Sequence, residues 1–125
     1  ICRKVALVDE NKSIEVWGDG EQTRSFLYID ECIEATIRLM RSDFEGPVNI
    51  GSDEMVTINQ LVEIARSFAS KEFSVRHIDG PTGVRGRNSD NKLIKEKLGW
   101  SPSAKLSDGI GNTYAWILSH IEKMH

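Results

Sequence analysis

The sequence has little of several features that mark specialised classes of protein. It holds two cysteines in 125 residues, Cys2 and Cys32, and neither belongs to a C-x-x-C pair. This count excludes a disulfide scaffold, so both are expected to be free thiols. No stretch approaches the ~18 consecutive apolar residues of a membrane span. No charged and then apolar leader opens the sequence either, so we expect no membrane partner and take the cytoplasm as the default compartment.

Basic charge and metal-binding patterns are also scarce. Lysine and arginine total 16 against 19 aspartates and glutamates, which gives a net charge of −3. Nucleic acids are bound by broad basic faces, so nucleic acid is not an expected partner. The three histidines, His77, His120 and His125, are scattered without the spacing of zinc ligands, and no metal site is expected.

What is present fits a single globular unit. Apolar residues make up 39% of the sequence, and the length suits one domain spanning residues 1–125. The chain opens inside an apolar run, without an initiator methionine, so we expect it to be part of a longer protein. Apolar surface that another part of the same protein would cover would then be exposed. The isolated chain should therefore be marginally stable, form oligomers or bind hydrophobic dyes.

Hydrophobic periodicity and turn signals predict alternating strands and helices. Four short strands are expected, in residues 13–17, 24–30, 46–51 and 73–79. Four helices are expected: three begin after the cap residues Asp30, Thr57 and Asp90, and the fourth begins at about Ser107. Thr57 and Gln60 would form a T-x-x-Q capping box at the second helix, and Gly99 would end the third. The alternation indicates an α/β fold with few strands and several helices that lack an obvious sheet to cover.

Three arginines follow glycine-rich turns and are candidates for anion binding. Arg24 comes after the turn "WGDGEQT", and Arg85 and Arg87 lie in "IDGPTGVRGRNSDN", residues 78–91. A guanidinium holds phosphate oxygens in a bidentate manner, and its charge does not titrate near neutral pH. The pattern is compatible with a small anionic ligand and equally with solvated loop arginines.

The same loop carries Gly80, Gly83 and Gly86 at the spacing of a dinucleotide-binding motif. Such a motif must open an apolar helix whose N-terminus faces the pyrophosphate. Here Pro81 stiffens the turn, "RNSDN" follows the last glycine, and the next helix is short. The loop is therefore not expected to bind a dinucleotide, although Gly83 and Gly86 could let the backbone approach an anion.

Four ordered blocks carry a family resemblance: "WGDGEQTRSFLYIDECIEA", "PVNIGSDEMVTINQLVEIA", "VRGRNSDNKLIKEKLGWSP" and "GIGNTYAWI". Together they resemble the C-terminal part of extended short-chain dehydrogenases/reductases, the NAD(P)-dependent sugar-nucleotide epimerases and dehydratases. The branch they resemble most is the GDP-mannose 3,5-epimerases. The resemblance implies an α/β substrate-binding part with a small sheet and several helices, and a Rossmann domain that is mostly missing.

The resemblance also implies a set of substrate-binding residues, which are Lys4, Gln22, Thr23, Arg24, Arg85 and Arg87. Arg24 and Arg87 would hold the diphosphate of a GDP-sugar, and Arg85 is near enough to share that role. Lys4 would add charge, and Gln22 would offer an amide to ribose or phosphate.

No catalytic residue is expected on this chain. The family's Tyr-x-x-x-Lys pair is not here, because Cys32 follows Tyr28 and Leu118 follows Tyr114 at the lysine position. The resemblance places NAD on the missing N-terminal Rossmann domain and implies a homodimer when the protein is complete. Two alternatives stay open: another sugar-nucleotide epimerase or 4,6-dehydratase, acting on UDP-glucose, GDP-mannose or dTDP-glucose, and a non-catalytic binding or assembly module.

Overall fold

The computed structural model describes residues 1–124 and confirms the α/β class. Its elements, in chain order, are α1 (Cys2–Leu7), β1 (Ser13–Trp17), β2 (Thr23–Ser25), α2 (Ile29–Met40), β3 (Met55–Thr57), α3 (Ile58–Ser67), β4 (Ser74–Ile78), α4 (Lys92–Leu98) and α5 (Leu106–Lys123). None of these helices is long and apolar enough to cross a membrane.

The strands form two small two-stranded sheets. β1 pairs with β4 in parallel, from Ser13 opposite Ser74 to Trp17 opposite Ile78. β2 pairs with β3 antiparallel, and that ladder ends after three residues on each strand. The predicted strand at 24–30 is therefore shorter than expected, because β3 offers no further partner.

The strand predicted at residues 46–51 is wrong. No strand in the described part of the chain pairs with this segment, so it carries no ladder. Residues 47–50 nonetheless alternate in burial, since Val48 and Ile50 are half-buried while Pro47 and Asn49 are exposed. A strand requires a hydrogen-bonded neighbour, and periodicity alone does not supply one.

The main core lies between the β1–β4 sheet and three helices. α1, α3 and α5 contact one another and contribute Val5, Val62 and Tyr114 to a buried cluster with Ile14 and Val16 of β1. The sequence analysis assigned no helix to residues 2–7. A signal was available there, because Cys2, Val5 and Ala6 follow the i, i+3, i+4 spacing of a buried helical face.

A second, smaller cluster lies under α2 and α4. Ala35, Ile94 and Trp100 are buried there, and Val48 and Ile50 pack against them. α2 carries an apolar stripe that faces outward: the exposed fractions are 58% for Ile29, 49% for Ile33, 41% for Ile37 and 79% for Met40. α2 therefore buries its opposite face.

The helix ends agree with the sequence in two places and differ in two. Thr57 and Gln60 form the predicted capping box at the start of α3. Gly99 ends α4 in the left-handed conformation, with φ of 61°. The prediction of Asp90 as the cap of α4 is wrong, because the N-cap is Asn91; Asp90, one residue before it, accepts a hydrogen bond from the Lys92 backbone N–H. The prediction of Asp30 as an N-cap is wrong, because α2 begins one residue earlier and Asp30 lies in its first turn.

Candidate functional site

Backbone pairing brings the two arginine-bearing segments together. The Thr23 N–H donates to the Arg85 carbonyl at 2.9 Å, and the Arg87 N–H donates to the Thr23 carbonyl at 3.3 Å. These bonds form a parallel bridge between Thr23 and Gly86. The loop at residues 79–91 therefore runs beside β2, and Arg24 and Arg87 lie on adjoining backbone segments.

The glycines of this loop serve close packing. A Cβ at Gly80 would lie 2.6 Å from the Trp17 ring, and one at Gly86 would lie 2.9 Å from Thr23 Oγ1. At Gly86 the space is thus taken by Thr23, which does not support the expected approach of an anion there. Gly83 has a φ of 67°, a conformation that favours glycine.

A dinucleotide does not fit this loop. The helix that follows, α4, begins only at Lys92 and has seven residues. It therefore offers no long helix whose N-terminus opens directly from the glycines. The loop at residues 79–91 therefore lacks the strand–loop–helix geometry of a dinucleotide-binding motif.

Arg24 and Arg87 line one cavity of about 330 Å³. No carboxylate occurs among the described residues that line it, and the other lining residues are Ser25, Leu27, Asn49, Ile50, Gly51, Ser52, Asn88 and Ser89. Two guanidinium groups without a nearby negative lining residue attract an anion, even though the chain as a whole has a net charge of −3. Amide and hydroxyl groups around them add neutral hydrogen-bonding partners.

Arg24 is held in place by main-chain carbonyls. Its Nη1 donates to the Thr23 carbonyl at 2.6 Å, and its Nη2 donates to the Thr82 carbonyl at 3.1 Å. A guanidinium carries five N–H donors, so these two bonds fix its orientation and leave donors for a ligand. Because the side chain is already ordered, less conformational entropy is lost when a ligand binds.

Arg85 is placed differently. Its Nη1 contacts both carboxylate oxygens of Asp19, at 3.0 and 2.9 Å, and it does not line the cavity. Hydrogen bonds from the Glu21 backbone N–H and then from Arg85 hold the pKa of Asp19 below its ordinary value. The charge of Arg85 is therefore offset by Asp19, and its expected share in binding stays a prediction.

The three remaining predicted residues, Lys4, Gln22 and Thr23, lie outside the cavity lining. Gln22 is 7% exposed, its Nε2 donates to the Trp17 carbonyl at 3.3 Å, and its Oε1 is buried with no hydrogen-bond partner in the described structure. Lys4 donates from Nζ to the Glu15 carbonyl at 2.7 Å. The structure thus brings Arg24 and Arg87 together at the cavity, while Thr23 joins their two segments through its backbone. Gln22 lies beside Thr23 in the chain, and Lys4 is not brought to the cavity.

Sequence reasoning missed Ser52, Asn88 and Ser89 as cavity residues. Their segments meet closely, because a Cβ on Gly51 would lie 2.5 Å from the Ser89 Cβ, and Asn91 Nδ2 donates to the Gly51 carbonyl at 2.9 Å. The available signal was the concentration of asparagine, serine and aspartate in both loops, which is typical of polar turns near ligands.

Two larger depressions are less suited to an anion. One, of about 710 Å³, is lined by Asp53 and Asp90 and also by Lys92 and Lys95, so its formal charges balance. The other, of about 720 Å³, has Glu21 and Glu63 in its lining, and these carboxylates repel phosphate. Within residues 1–124, no group of three or more His, Cys, Asp or Glu side chains could hold a metal ion.

A family model described as GDP-mannose 4,6 dehydratase matches residues 1–113. The chain belongs to the GDP-mannose 4,6 dehydratase family. This match confirms the resemblance to the sugar-nucleotide branch of the extended short-chain dehydrogenases/reductases.

Curated relatives of this family member include plant GDP-mannose 3,5-epimerases. The chain is 59% identical over 122 residues to GDP-mannose 3,5-epimerase 1 of Oryza sativa subsp. japonica and 57% identical to GDP-mannose 3,5-epimerase of Arabidopsis thaliana. Each alignment covers 98% of this chain and 32% of the relative. The chain therefore spans about a third of the length of these relatives.

Solved structures of sugar-nucleotide epimerases share its fold. The UDP-glucuronic acid 4-epimerase of Bacillus cereus, in complex with UDP-glucuronic acid and NAD, matches with a TM-score of 0.84 at 27% identity over 94% of this chain and 39% of that one. The UDP-glucose 4-epimerase of Thermotoga maritima, with UDP-glucose, matches with a TM-score of 0.81 at 26% identity over 96% of this chain and 38% of that one.

Proposed function

We propose that this chain is the C-terminal sugar-nucleotide-binding domain of an NAD-dependent GDP-mannose 3,5-epimerase, an enzyme that converts GDP-mannose to GDP-L-galactose. The observation that carries the proposal is the cavity in which Arg24 and Arg87 stand together without a carboxylate. The identity of 57–59% to GDP-mannose 3,5-epimerases supports the choice of sugar nucleotide.

The cavity would hold the diphosphate of the substrate. Two guanidinium groups can form bidentate, charge-assisted hydrogen bonds with phosphate oxygens, and the contacts that fix Arg24 keep one of them oriented. Binding energy at the nucleotide end orients the distant sugar for reaction. This chain would therefore supply positioning and would not turn over substrate alone.

A preceding Rossmann domain would supply what the chain lacks. It would bind NAD and carry the acid/base residues, since the glycine loop here does not fit a dinucleotide. The exposed apolar stripe of α2 and the unpaired residues 47–50 support docking against that domain, because both are surfaces that a sheet and its flanking elements would cover. The complete protein would be a cytoplasmic homodimer.

Calorimetric titration of the purified chain with GDP, GDP-mannose, UDP-glucose and NAD tests the binding proposal. We expect heat with GDP and GDP-mannose and none with NAD. Preference for UDP-glucose would instead indicate another sugar-nucleotide epimerase or dehydratase. No binding to any of the four compounds, by this chain or by the longer protein that contains it, would favour the non-catalytic module and sink the proposal.

Arg87→Ala is the sharpest single variant for this site. Losing a charge-assisted contact with phosphate should weaken GDP binding by about 1.5–3 kcal/mol. Arg76→Ala is the matched control, because Arg76 is also an exposed arginine, but it pairs with Glu15 outside the cavity. Equal affinities for the two variants would return Arg87 to the class of solvated loop arginines.

A further inference from the structure

The side-chain amide of Asn59 joins the two segments that carry the site arginines. Asn59 lies in the first turn of α3. Its Nδ2 donates to the Asp19 carbonyl at 3.0 Å and to Glu21 Oε1 at 2.6 Å. Its Oδ1 is 2.9 Å from His77 Nε2, near the end of β4. One side chain thus contacts the turn before Arg24 and the strand before Arg85.

The chemistry of the partners fixes the orientation of this amide. A carbonyl and a carboxylate can only accept, so the nitrogen of Asn59 must face Asp19 and Glu21. Its oxygen is then the acceptor for His77, whose Nε2 must carry the proton. All three contacts are satisfied in this single arrangement.

Two backbone features reinforce the contact. The Asn59 N–H donates to the Gly20 carbonyl at 3.0 Å, and the Ile58 N–H donates to the Gln22 carbonyl at 3.2 Å. Gly20 is buried, and a Cβ there would occupy the position of the Asn59 amide. The glycine therefore leaves room for Asn59 in the turn.

The turn held by Asn59 leads directly to the site. Asp19 in this turn binds Arg85, and Thr23 at its end pairs with the backbone of Arg85 and Arg87. We propose that Asn59 is a positioning residue, which sets the distance between the Arg24 and Arg87 segments without touching the ligand. This inference rests on the proposed diphosphate site.

The test compares GDP binding by the chain and by three variants. Asn59→Asp keeps the side-chain shape but removes the donors to Asp19 and Glu21, and we expect about a tenfold loss of affinity for GDP, the size of one hydrogen bond. Adding Glu21→Gln to Asn59→Asp returns one donor between the two side chains and should recover part of that loss. Thr57→Ala, the control, weakens the same helix end without altering these contacts.

Thermal unfolding of each variant separates positioning from general destabilisation. An unchanged affinity in Asn59→Asp, or an equal loss in Thr57→Ala at equal stability, would overturn the inference. Absence of GDP binding by the parent chain would count against the proposed function instead. Amide hydrogen exchange tests the positioning role without a ligand. The Thr23 and Arg87 amides should lose protection from exchange in Asn59→Asp, and full protection there would contradict the positioning role.

Discussion

Two amphipathic helices of this chain, α2 and α3, use the same sequence pattern in opposite ways. α3 begins at a reciprocal capping box, buries Leu61, and contributes Val62 and Ala65 to the main core. α2 begins without a side-chain cap, buries Ala35 and the carboxylate of Glu31, and exposes its isoleucines. Helical periodicity therefore identifies an apolar face but does not say what covers it.

The difference separates a self-sufficient part of the molecule from a part that lacks a partner. The apolar face of α3 is covered by other parts of this chain: α3 contacts both α1 and α5, and its buried residues share one cluster with those of β1. Around α2, the buried cluster is small, and the nearby extended residues 47–50 have no strand beside them. Since the chain spans about a third of its relatives' length, the α2 side is where we expect the rest of the protein.

The largest expected effect lies in the α3 region. Leu61→Ala should lower the free energy of unfolding by about 2–5 kcal/mol, because it removes buried methyl groups and leaves a cavity. Urea denaturation followed by circular dichroism measures this loss. Leu93→Ala is the control, since Leu93 is 38% exposed and should cost far less. Equal losses would show that the buried Leu61 side chain stabilises the chain no more than a partly exposed leucine does.

A buried carboxylate dominates the α2 region instead. Glu31 Oε1 accepts hydrogen bonds from the Ser103 and Ala104 backbone N–H groups and from the Ser103 hydroxyl. Burial raises the pKa of Glu31, but these three hydrogen bonds outweigh it and hold the pKa below the ordinary value of 4.5. The ionised form thus stabilises the junction between α2 and the segment before α5.

Glu31→Ala should cost about 1–3 kcal/mol at pH 7, because two backbone donors lose their acceptor. The folded-state pKa is depressed, so this stabilisation is full above the unfolded-state pKa and fades as pH falls through the folded-state value. The gap between parent and variant in urea denaturation should therefore narrow below about pH 4. Glu34→Ala, at an exposed position of the same helix, should show no comparable gap.

The sequence predicted local features well where neighbouring residues decide them. The Thr57–Gln60 box and the Gly99 helix end depend on contacts within a few residues, and both are confirmed. The strand predicted at 46–51 was wrong because no strand of the described residues pairs with that segment. The expectation that Arg24 and Arg87 belong to one site came from the family resemblance. Their spacing in the sequence does not reveal the backbone bridge between Thr23 and Gly86 that brings their segments together.

A smaller effect is expected from the helix caps. Thr57→Ala should destabilise the chain by about 1 kcal/mol, since the Gln60 N–H loses its side-chain acceptor. Asp30→Ala in α2 removes only a favourable charge in the first turn and should cost a few tenths of a kcal/mol. Thermal unfolding of the two variants side by side measures the difference. Equal shifts would mean that the contrast between the two helix starts has no energetic weight.

The smallest effect, in this chain alone, belongs to the exposed stripe. Ile33→Gln keeps a good helix former at a half-exposed position, so we expect a change in unfolding free energy within about 0.5 kcal/mol. In the longer protein, the same change should cost about 1.5–3 kcal/mol if the stripe packs against a preceding domain. Urea denaturation of both forms gives the comparison, with the exposed Glu34→Ala variant as control. A cost that stays small in the longer protein would show that this stripe of α2 faces solvent there too, so that the helix is held only by the opposite face, which carries Glu31 and Ala35.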